Sequence, residues 1–357
     1  MNPQDDNSGI NNSRLAEQRF RERREAIKKA KKRQALIRLL MRAAVLLAVI
    51  FISIMLIVSS CGGDESDDAS LTQSDVPASS DKDSSEPAPD IKLPASAPDM
   101  VTPAEINSHY VVVLNRASGK IVASKGMHEK MYPASLTKIM TLLVAFEQNK
   151  DLNKTFTVTT EIIDPLYRAE ATLAGFLDGE DVTIKDLLYG TVLPSGAEAA
   201  ECVAIATAGS VEKFVELMNK RAAELGLKNT HFTNVTGLYE SGNYSTAYDM
   251  AVILSKTLEY DLCREILATY QYTTAPTNKH PEGVPLTSTL FSYMYGTEPE
   301  GSDILGGKTG YTFEAGYCIA SFGESDGGTE YICVTAKGDS RWPAVYDQIN
   351  LFSKYAK

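Results

Sequence analysis

The chain has 357 residues, a formal net charge of −11 and 43% hydrophobic residues, an ordinary balance for a folded protein that also carries non-globular segments. Its five cysteines (Cys61, Cys202, Cys263, Cys318, Cys333) are odd in number and show no Cys-x-x-Cys or Cys/His ligand spacing, which argues against a fully paired disulfide framework and against a structural metal. The four histidines, His109, His128, His231 and His280, are scattered, so the local sequence lends no support to a Ser-His-Asp triad.

Charge is unevenly distributed along the chain. Residues 14–42 hold twelve Lys/Arg against three Asp/Glu, a net of +9, and residues 62–100 hold ten acidic against two basic residues, a net of −8. Residues 1–42, with Arg19-Phe20-Arg21-Glu22-Arg23-Arg24 and Lys28-Lys29-Ala30-Lys31-Lys32-Arg33, read as a solvated basic helix. Directly ahead of an apolar segment, such a run is a topology signal rather than a nucleic-acid contact, and no nucleic-acid partner is expected. Residues 43–60 are that segment: eighteen uncharged residues that as a helix would span about 27 Å, the thickness of a bilayer core. A transmembrane anchor is expected, with the N-terminus cytoplasmic and the rest of the chain outside the cell membrane. Val58-Ser59-Ser60-Cys61-Gly62 also resembles a bacterial lipobox with Cys61 as the lipidated residue, although the polar region ahead of it is far longer than a signal-peptide n-region, which favours an uncleaved anchor. Residues 61–102 are rich in Ser, Asp, Pro and Ala, bury too little apolar surface to order themselves, and are expected to be a disordered spacer.

The pattern becomes globular from residue 103. Tyr110-Val111-Val112-Val113-Leu114 and Lys120-Ile121-Val122-Ala123-Ser124 predict a hairpin. Tyr132-Pro133-Ala134-Ser135-Leu136-Thr137-Lys138 then opens a strongly apolar helix, in which positions i and i+3 are neighbours. Lys138 is therefore expected beside Ser135, desolvated and partly neutral, so that it can take the hydroxyl proton and make Ser135 a nucleophile. By itself a Ser-x-x-Lys unit is more often an N-capping serine followed by an exposed lysine. A short strand is expected at 155–159, helices at 184–193, 197–208 and 211–225, and a helix capped by Ser245 or Thr246 running to about 258. A polar stretch at 273–299 precedes three strands, 304–312, 316–322 and 331–337, and a last helix at about 343–355. Strands at both ends with helices between them predict an α+β fold: an antiparallel sheet assembled from distant segments plus a mainly helical lobe.

Two further motifs give the first one company. Ser195-Gly196-Ala197 follows within Leu193-Pro194-Ser195-Gly196-Ala197-Glu198, and Lys308-Thr309-Gly310 follows within Gly306-Gly307-Lys308-Thr309-Gly310-Tyr311. The order Ser-x-x-Lys, Ser-x-Asn-like, Lys-Thr-Gly is that of the penicillin-interactive serine enzymes. With Phe214-Val215-Glu216-Leu217-Met218-Asn219, Leu227-Lys228-Asn229-Thr230-His231-Phe232-Thr233-Asn234, Tyr244-Ser245-Thr246-Ala247-Tyr248-Asp249-Met250 and Ala315-Gly316-Tyr317-Cys318, the stretch 103–345 resembles the D-alanyl-D-alanine carboxypeptidases, the low-molecular-weight penicillin-binding proteins of the peptidase S11 type.

The resemblance implies a two-lobed fold like that of β-lactamases and DD-peptidases, with a sheet flanked by helices, an all-helical lobe and an active site in the groove between them, here over residues 103–357. It implies a peptidoglycan stem peptide as substrate, β-lactam antibiotics as covalent inhibitors, and no cofactor or metal. Ser135 would form the acyl-enzyme, Lys138 would act as base, and Ser195 would relay a proton to the leaving amine. Lys308, with a fixed charge, and the Thr309 hydroxyl would take the terminal carboxylate. Gly310 would make room for substrate along the strand, and Tyr311, with Ser135, would donate backbone N–H groups to the oxyanion. Arg341 matches a carboxylate-binding arginine of some relatives. Ala197 departs from the usual Asn, so Glu198 or a backbone group must substitute, or activity is reduced. Two other readings share these motifs. A serine β-lactamase would also need a carboxylate to activate the deacylating water, and the candidate segment 164–170 has acids but no Glu-x-x-x-Asn pattern. A wall-binding protein with weak or lost catalysis would have Ala197 as its symptom.

Overall fold

A computed structural model of the chain describes residues 106–294 and 296–357. The basic segment, the transmembrane anchor and the acidic spacer expected at 1–102 lie outside the described residues.

The first element is the expected hairpin, β1 (Tyr110–Asn115) and β2 (Lys120–Lys125), closed by a turn in which the Asn115 side chain accepts from the Ser118 N–H at 3.0 Å. The β1 sequence is apolar on both sides of its pleat, and both sides are covered. Val112 and Leu114 enter the main core beneath the helices, whereas Val111 and Val113 pack with Leu351 and Phe352 of the C-terminal helix. Each such side chain contributes about 1.5–3 kcal/mol when fully buried.

After the hairpin a 3-10 turn (Ala134–Leu136) leads into α1 (Thr137–Gln148), whose first nine residues are all buried. The chain continues through β3 (Thr155–Thr157), α2 (Thr160–Arg168), β4 (Asp181–Thr183), α3 (Ile184–Val192), α4 (Ala197–Ala208), α5 (Val211–Glu224), α6 (Ala247–Thr257) and α7 (Asp261–Ala268). Thr183, Ser210 and Thr246 cap α3, α5 and α6 by accepting from the backbone N–H three residues on. Three of these elements had no counterpart in the sequence reading. α2 carries Pro165 in its interior, which breaks the helical signal, yet it buries Ile162 and Leu166 one turn apart. β4 is only three residues long, and α7 only eight.

The stretch expected to be merely polar contains β5 (Gln271–Thr273), just at its start, β6 (Pro285–Thr287) and a short helix, α8 (Thr289–Met294). The strands β7 (Ser302–Thr312), β8 (Gly316–Ser325) and β9 (Glu330–Gly338) follow, and α9 (Arg341–Tyr355) closes the fold. The main sheet is antiparallel, with order β2-β1-β9-β8-β7. β1 and β9 pair from Tyr110↔Ala336 to Asn115↔Tyr331, so the two ends of the described chain meet at the middle of the sheet. This is the expected mixed architecture, an antiparallel sheet built from distant segments with helices against it. β7 is an edge strand, and an edge leaves one row of backbone N–H and C=O groups without a strand partner.

Candidate active site

The site is built around the turn that carries Ser135. Met131 and Ser245 exchange backbone hydrogen bonds at 2.9 Å, which fixes the chain as it enters the turn. Ala134 then adopts φ +47°, a left-handed conformation that costs a non-glycine residue about 1–3 kcal/mol and that persists only where the surroundings hold it. Two glycines form those surroundings. A Cβ on Gly237 would overlap the Ala134 carbonyl, and one on Gly310 would lie 2.9 Å from the Ser135 nitrogen and 3.1 Å from the Ala134 Cβ. Gly310 was expected to clear a path for substrate; its nearest neighbour is the nucleophile's own backbone. Neither the turn nor α1 uses a side-chain cap, so Ser135 is not an N-capping serine.

Lys138, one turn on, brings its Nζ to 3.2 Å from Ser135 Oγ and donates to the Thr236 carbonyl at 2.6 Å. Thr236 was not singled out in the sequence. The signal that marks it is Asn234-x-x-Gly237: the Asn234 carboxamide oxygen accepts from the Gly237 N–H at 2.7 Å and holds a tight turn that aims the Thr236 carbonyl at the lysine. Lys138 is fully enclosed, and burial pulls its ammonium down to about 7, with the Glu198 carboxylate pulling it back up.

Lys308, on β7, is equally buried and donates to the Thr309 carbonyl at 2.9 Å. Burial holds it well below the usual ammonium range, and the charge of Lys138 lowers it further. Two dry amines disfavour one another's protons, a cost that an arriving anion would offset. Thr309 accepts from or donates to the Thr289 hydroxyl at 2.6 Å.

Ser135, Ser195, Thr309, Gly310, Tyr311 and Arg341 all line one cavity of about 350 Å³, together with Thr172, Thr289, Tyr293, Tyr317 and Cys318. The two lysines lie behind that lining. Arg341, at the start of α9, reaches the cavity with its guanidinium 4.7 Å over the Tyr293 ring. Thr289 and Tyr293 come from the stretch read as polar, where nothing in the residue pattern marked them.

Ser195, only 7% exposed, is a second non-glycine residue in the left-handed region, at φ +71°. Glu198 does not take the place of the missing Asn. Its carboxylate is not part of the cavity lining and accepts from the Ala174 and Gly175 N–H groups at 2.6 and 2.9 Å, leaving its other oxygen without a partner. Burial raises its pKa. Among the described residues, no carboxylate and no histidine lines the cavity. The acids of 164–170 that a β-lactamase would call on are thus not at the site. Cys318 lines it as a thiol pushed up to about 12 by burial, unreactive as a nucleophile.

Comparison with known proteins agrees with this geometry. Residues 97–339 match the peptidase S11 family, described as D-alanyl-D-alanine carboxypeptidase. The chain is 38% identical over 216 residues to D-alanyl-D-alanine carboxypeptidase DacF of Bacillus subtilis, a match covering 59% of this chain and 52% of that protein. It is 31% identical over 246 residues to the D-alanyl-D-alanine carboxypeptidase of Streptomyces sp. strain K15, covering 67% of this chain and 82% of that one. The chain thus spans about half the length of DacF and most of the length of the Streptomyces protein. Among solved structures, that of the Streptomyces K15 DD-transpeptidase superposes with a TM-score of 0.63 at 29% identity, covering 71% of this chain and 98% of that one. Penicillin binding protein 5 from Haemophilus influenzae gives 0.62 at 27% identity, covering 71% of each chain. With a serine beside a buried lysine and a cleft edged by Lys-Thr-Gly inside it, the match over residues 97–339 places the chain in the D-alanyl-D-alanine carboxypeptidase family of serine peptidases.

Proposed function

We propose that the chain is a membrane-tethered serine D-alanyl-D-alanine carboxypeptidase that removes the terminal D-alanine from peptidoglycan stem peptides. The observation that carries this reading is the 3.2 Å approach of Lys138 Nζ to Ser135 Oγ in a fully buried setting. The neutral amine, oriented by its donation to Thr236, accepts the Ser135 hydroxyl proton as Oγ attacks the carbonyl of the penultimate D-alanine. Backbone N–H groups of Ser135 and of Tyr311, on the free edge of β7, face the developing oxyanion, and donors of this kind each stabilise it by about 3–4 kcal/mol. Ser195 passes the proton to the leaving amine. The substrate's terminal carboxylate lies against Thr309, Lys308 and Arg341, and its charge offsets the burial that disfavours an ammonium at Lys308. Water then hydrolyses the acyl-enzyme.

β-Lactam antibiotics, which carry both an acyl centre and a carboxylate, are the expected covalent inhibitors. The uncharged run at 43–60 and its basic flank support a single-pass anchor with the catalytic domain outside the cell, and the acidic spacer supplies reach. The decisive experiment incubates the full chain with benzylpenicillin, locates the adduct by mass spectrometry and measures D-alanine released from diacetyl-L-lysyl-D-alanyl-D-alanine. An adduct on Ser135, lost in Ser135→Ala, with D-alanine release, is expected. An adduct without release would instead favour the wall-binding reading, and fast release of hydrolysed penicillin the β-lactamase one.

A further inference from the structure

One short helix touches two of the groups proposed to meet the substrate's terminal carboxylate, Thr309 and Arg341. α8 begins with Thr289, whose hydroxyl lies 2.6 Å from that of Thr309 and whose backbone N–H donates 3.0 Å to the carbonyl of Leu193, two residues before Ser195. One turn later Tyr293 places its ring beneath the Arg341 guanidinium, 4.7 Å from ring centroid to Cζ. Leu290 and Met294, on the adjacent face of the helix, pack with Ile319, Ala344 and Val345, so α8 is seated on β8 and α9. Thr289, Tyr293, Thr309 and Arg341 all line the same cavity as Ser135.

A threonine hydroxyl has one proton to donate and lone pairs to accept with. In the pair Thr289–Thr309 a single proton lies between the two oxygens, and its direction decides what Thr309 can do. If Thr309 donates to Thr289, its proton is taken and a carboxylate facing it meets only lone pairs. If Thr289 donates, the Thr309 O–H is released towards the cavity, and accepting one hydrogen bond strengthens the one it gives. An anion at Thr309 therefore selects the second arrangement, for which Thr289 is required as a donor. Arg341 presents the same problem in another form, because a long exposed side chain loses rotamer freedom when it binds. A ring already under its guanidinium reduces that loss.

We infer that α8 positions the carboxylate site: Thr289 orients the Thr309 hydroxyl as a donor to the substrate's terminal carboxylate, and Tyr293 pre-sets Arg341 for the same group. Both are positioning residues that act through others. The inference rests on the carboxypeptidase reading and adds to it the residues that make the cleft select a free C-terminal carboxylate.

The test uses the full chain in detergent, with kcat and KM for D-alanine release from diacetyl-L-lysyl-D-alanyl-D-alanine, and competition by the same peptide carrying a C-terminal carboxylate or a C-terminal amide. Thr289→Val keeps the shape of the side chain and removes its donor. It should raise KM roughly five- to tenfold, the scale of one weakened hydrogen bond to a charged group, with a smaller fall in kcat. Thr289→Ser should restore the wild-type KM. Tyr293→Leu should weaken binding of the carboxylate peptide by roughly two- to fivefold, and Tyr293→Phe should leave it intact. The amide peptide should bind wild type, Thr289→Val and Tyr293→Leu alike. A KM unchanged in Thr289→Val, no rescue by serine, or equal losses towards carboxylate and amide peptides in a folded variant would overturn the inference while leaving the carboxypeptidase reading standing. A wild-type chain that neither releases D-alanine nor takes penicillin on Ser135 would overturn both.

Discussion

The amine of Lys138 sits between opposed influences, and its chemistry follows from which is larger. Burial removes the water that would solvate an ammonium, and this outweighs the nearby Glu198 carboxylate, so the group titrates at about 7 instead of near 10.5. Only the neutral amine can accept the Ser135 proton. The second-order rate of acylation by benzylpenicillin should therefore climb as pH rises through about 7 and then level off. Glu198→Gln removes the charge that holds the ammonium up, so the midpoint of that climb should move to lower pH; a move to higher pH would show that Glu198 does not act on Lys138 in this way. The Ser135–Lys138 pairing was legible because helical spacing makes i and i+3 neighbours whatever the tertiary context. How strongly burial disfavours an ammonium at Lys308 was not legible, because a residue string does not show how dry the space around a strand lysine is. Thr236 was missed for a related reason: a backbone carbonyl carries no residue-type signal, and only the Asn and Gly that shape its turn do.

At the level of elements, the cleft depends on two segments that touch without room to spare. β7 passes so close to the 3-10 turn that glycine is the only residue that fits at position 310. In Gly310→Ala the new methyl would stand 2.9 Å from the Ser135 nitrogen, and either the strand or the turn must retreat. A displacement of that order at a reacting centre costs on the order of 100-fold in rate. Acylation by penicillin should fall by about that factor, with a far smaller effect on thermal unfolding, and a variant that acylates at the normal rate would dismiss the close approach as unimportant. Long elements with a steady period, such as β1, α1, α5 and β7 to β9, were readable from the residues. Several short elements, α2, β4, α7 and α8 among them, were not. α2 hides its apolar pair behind a proline, and α8 has six residues and a partly exposed face. That the cavity is lined in part from α8 was therefore invisible, although the Lys-Thr-Gly strand it touches was plain.

Across the whole molecule, stability is concentrated where the two ends of the described chain meet. Asp347, buried on α9, accepts from the Asn107 N–H at 3.0 Å, the Ser108 N–H at 2.7 Å and the Ser108 hydroxyl at 2.6 Å. Asp347→Ala strands all three donors, and buried donors without partners cost about 1–3 kcal/mol each before relaxation and water entry reduce the sum. A net loss of about 2–3 kcal/mol corresponds to a fall of roughly 5–10 °C in Tm for a domain of this size. Differential scanning calorimetry should show that fall with the pH midpoint of acylation unmoved; an unchanged Tm would mean that the join carries no weight. A further tie across distant segments is Glu330 at the start of β9, which is held by Arg116 at 2.7 Å and by Arg264 at 2.5 Å. The pairing of the two chain ends was foreseeable in outline from the placement of strands, but its register was not, because β1 is apolar on both faces and offers no alternation to choose one.

The neighbour relation of β1 and β9 also governs when the fold can complete itself. As the polypeptide emerges, the inner edge of the hairpin has no strand to pair with until more than two hundred residues later, when its mate is released. A topology of such long sequence separation folds slowly and leaves a sticky unpaired flank exposed in the interval. A ribosome that stops short of Tyr331 would thus yield a product with an open seam through its middle, fit for degradation and incapable of partial service.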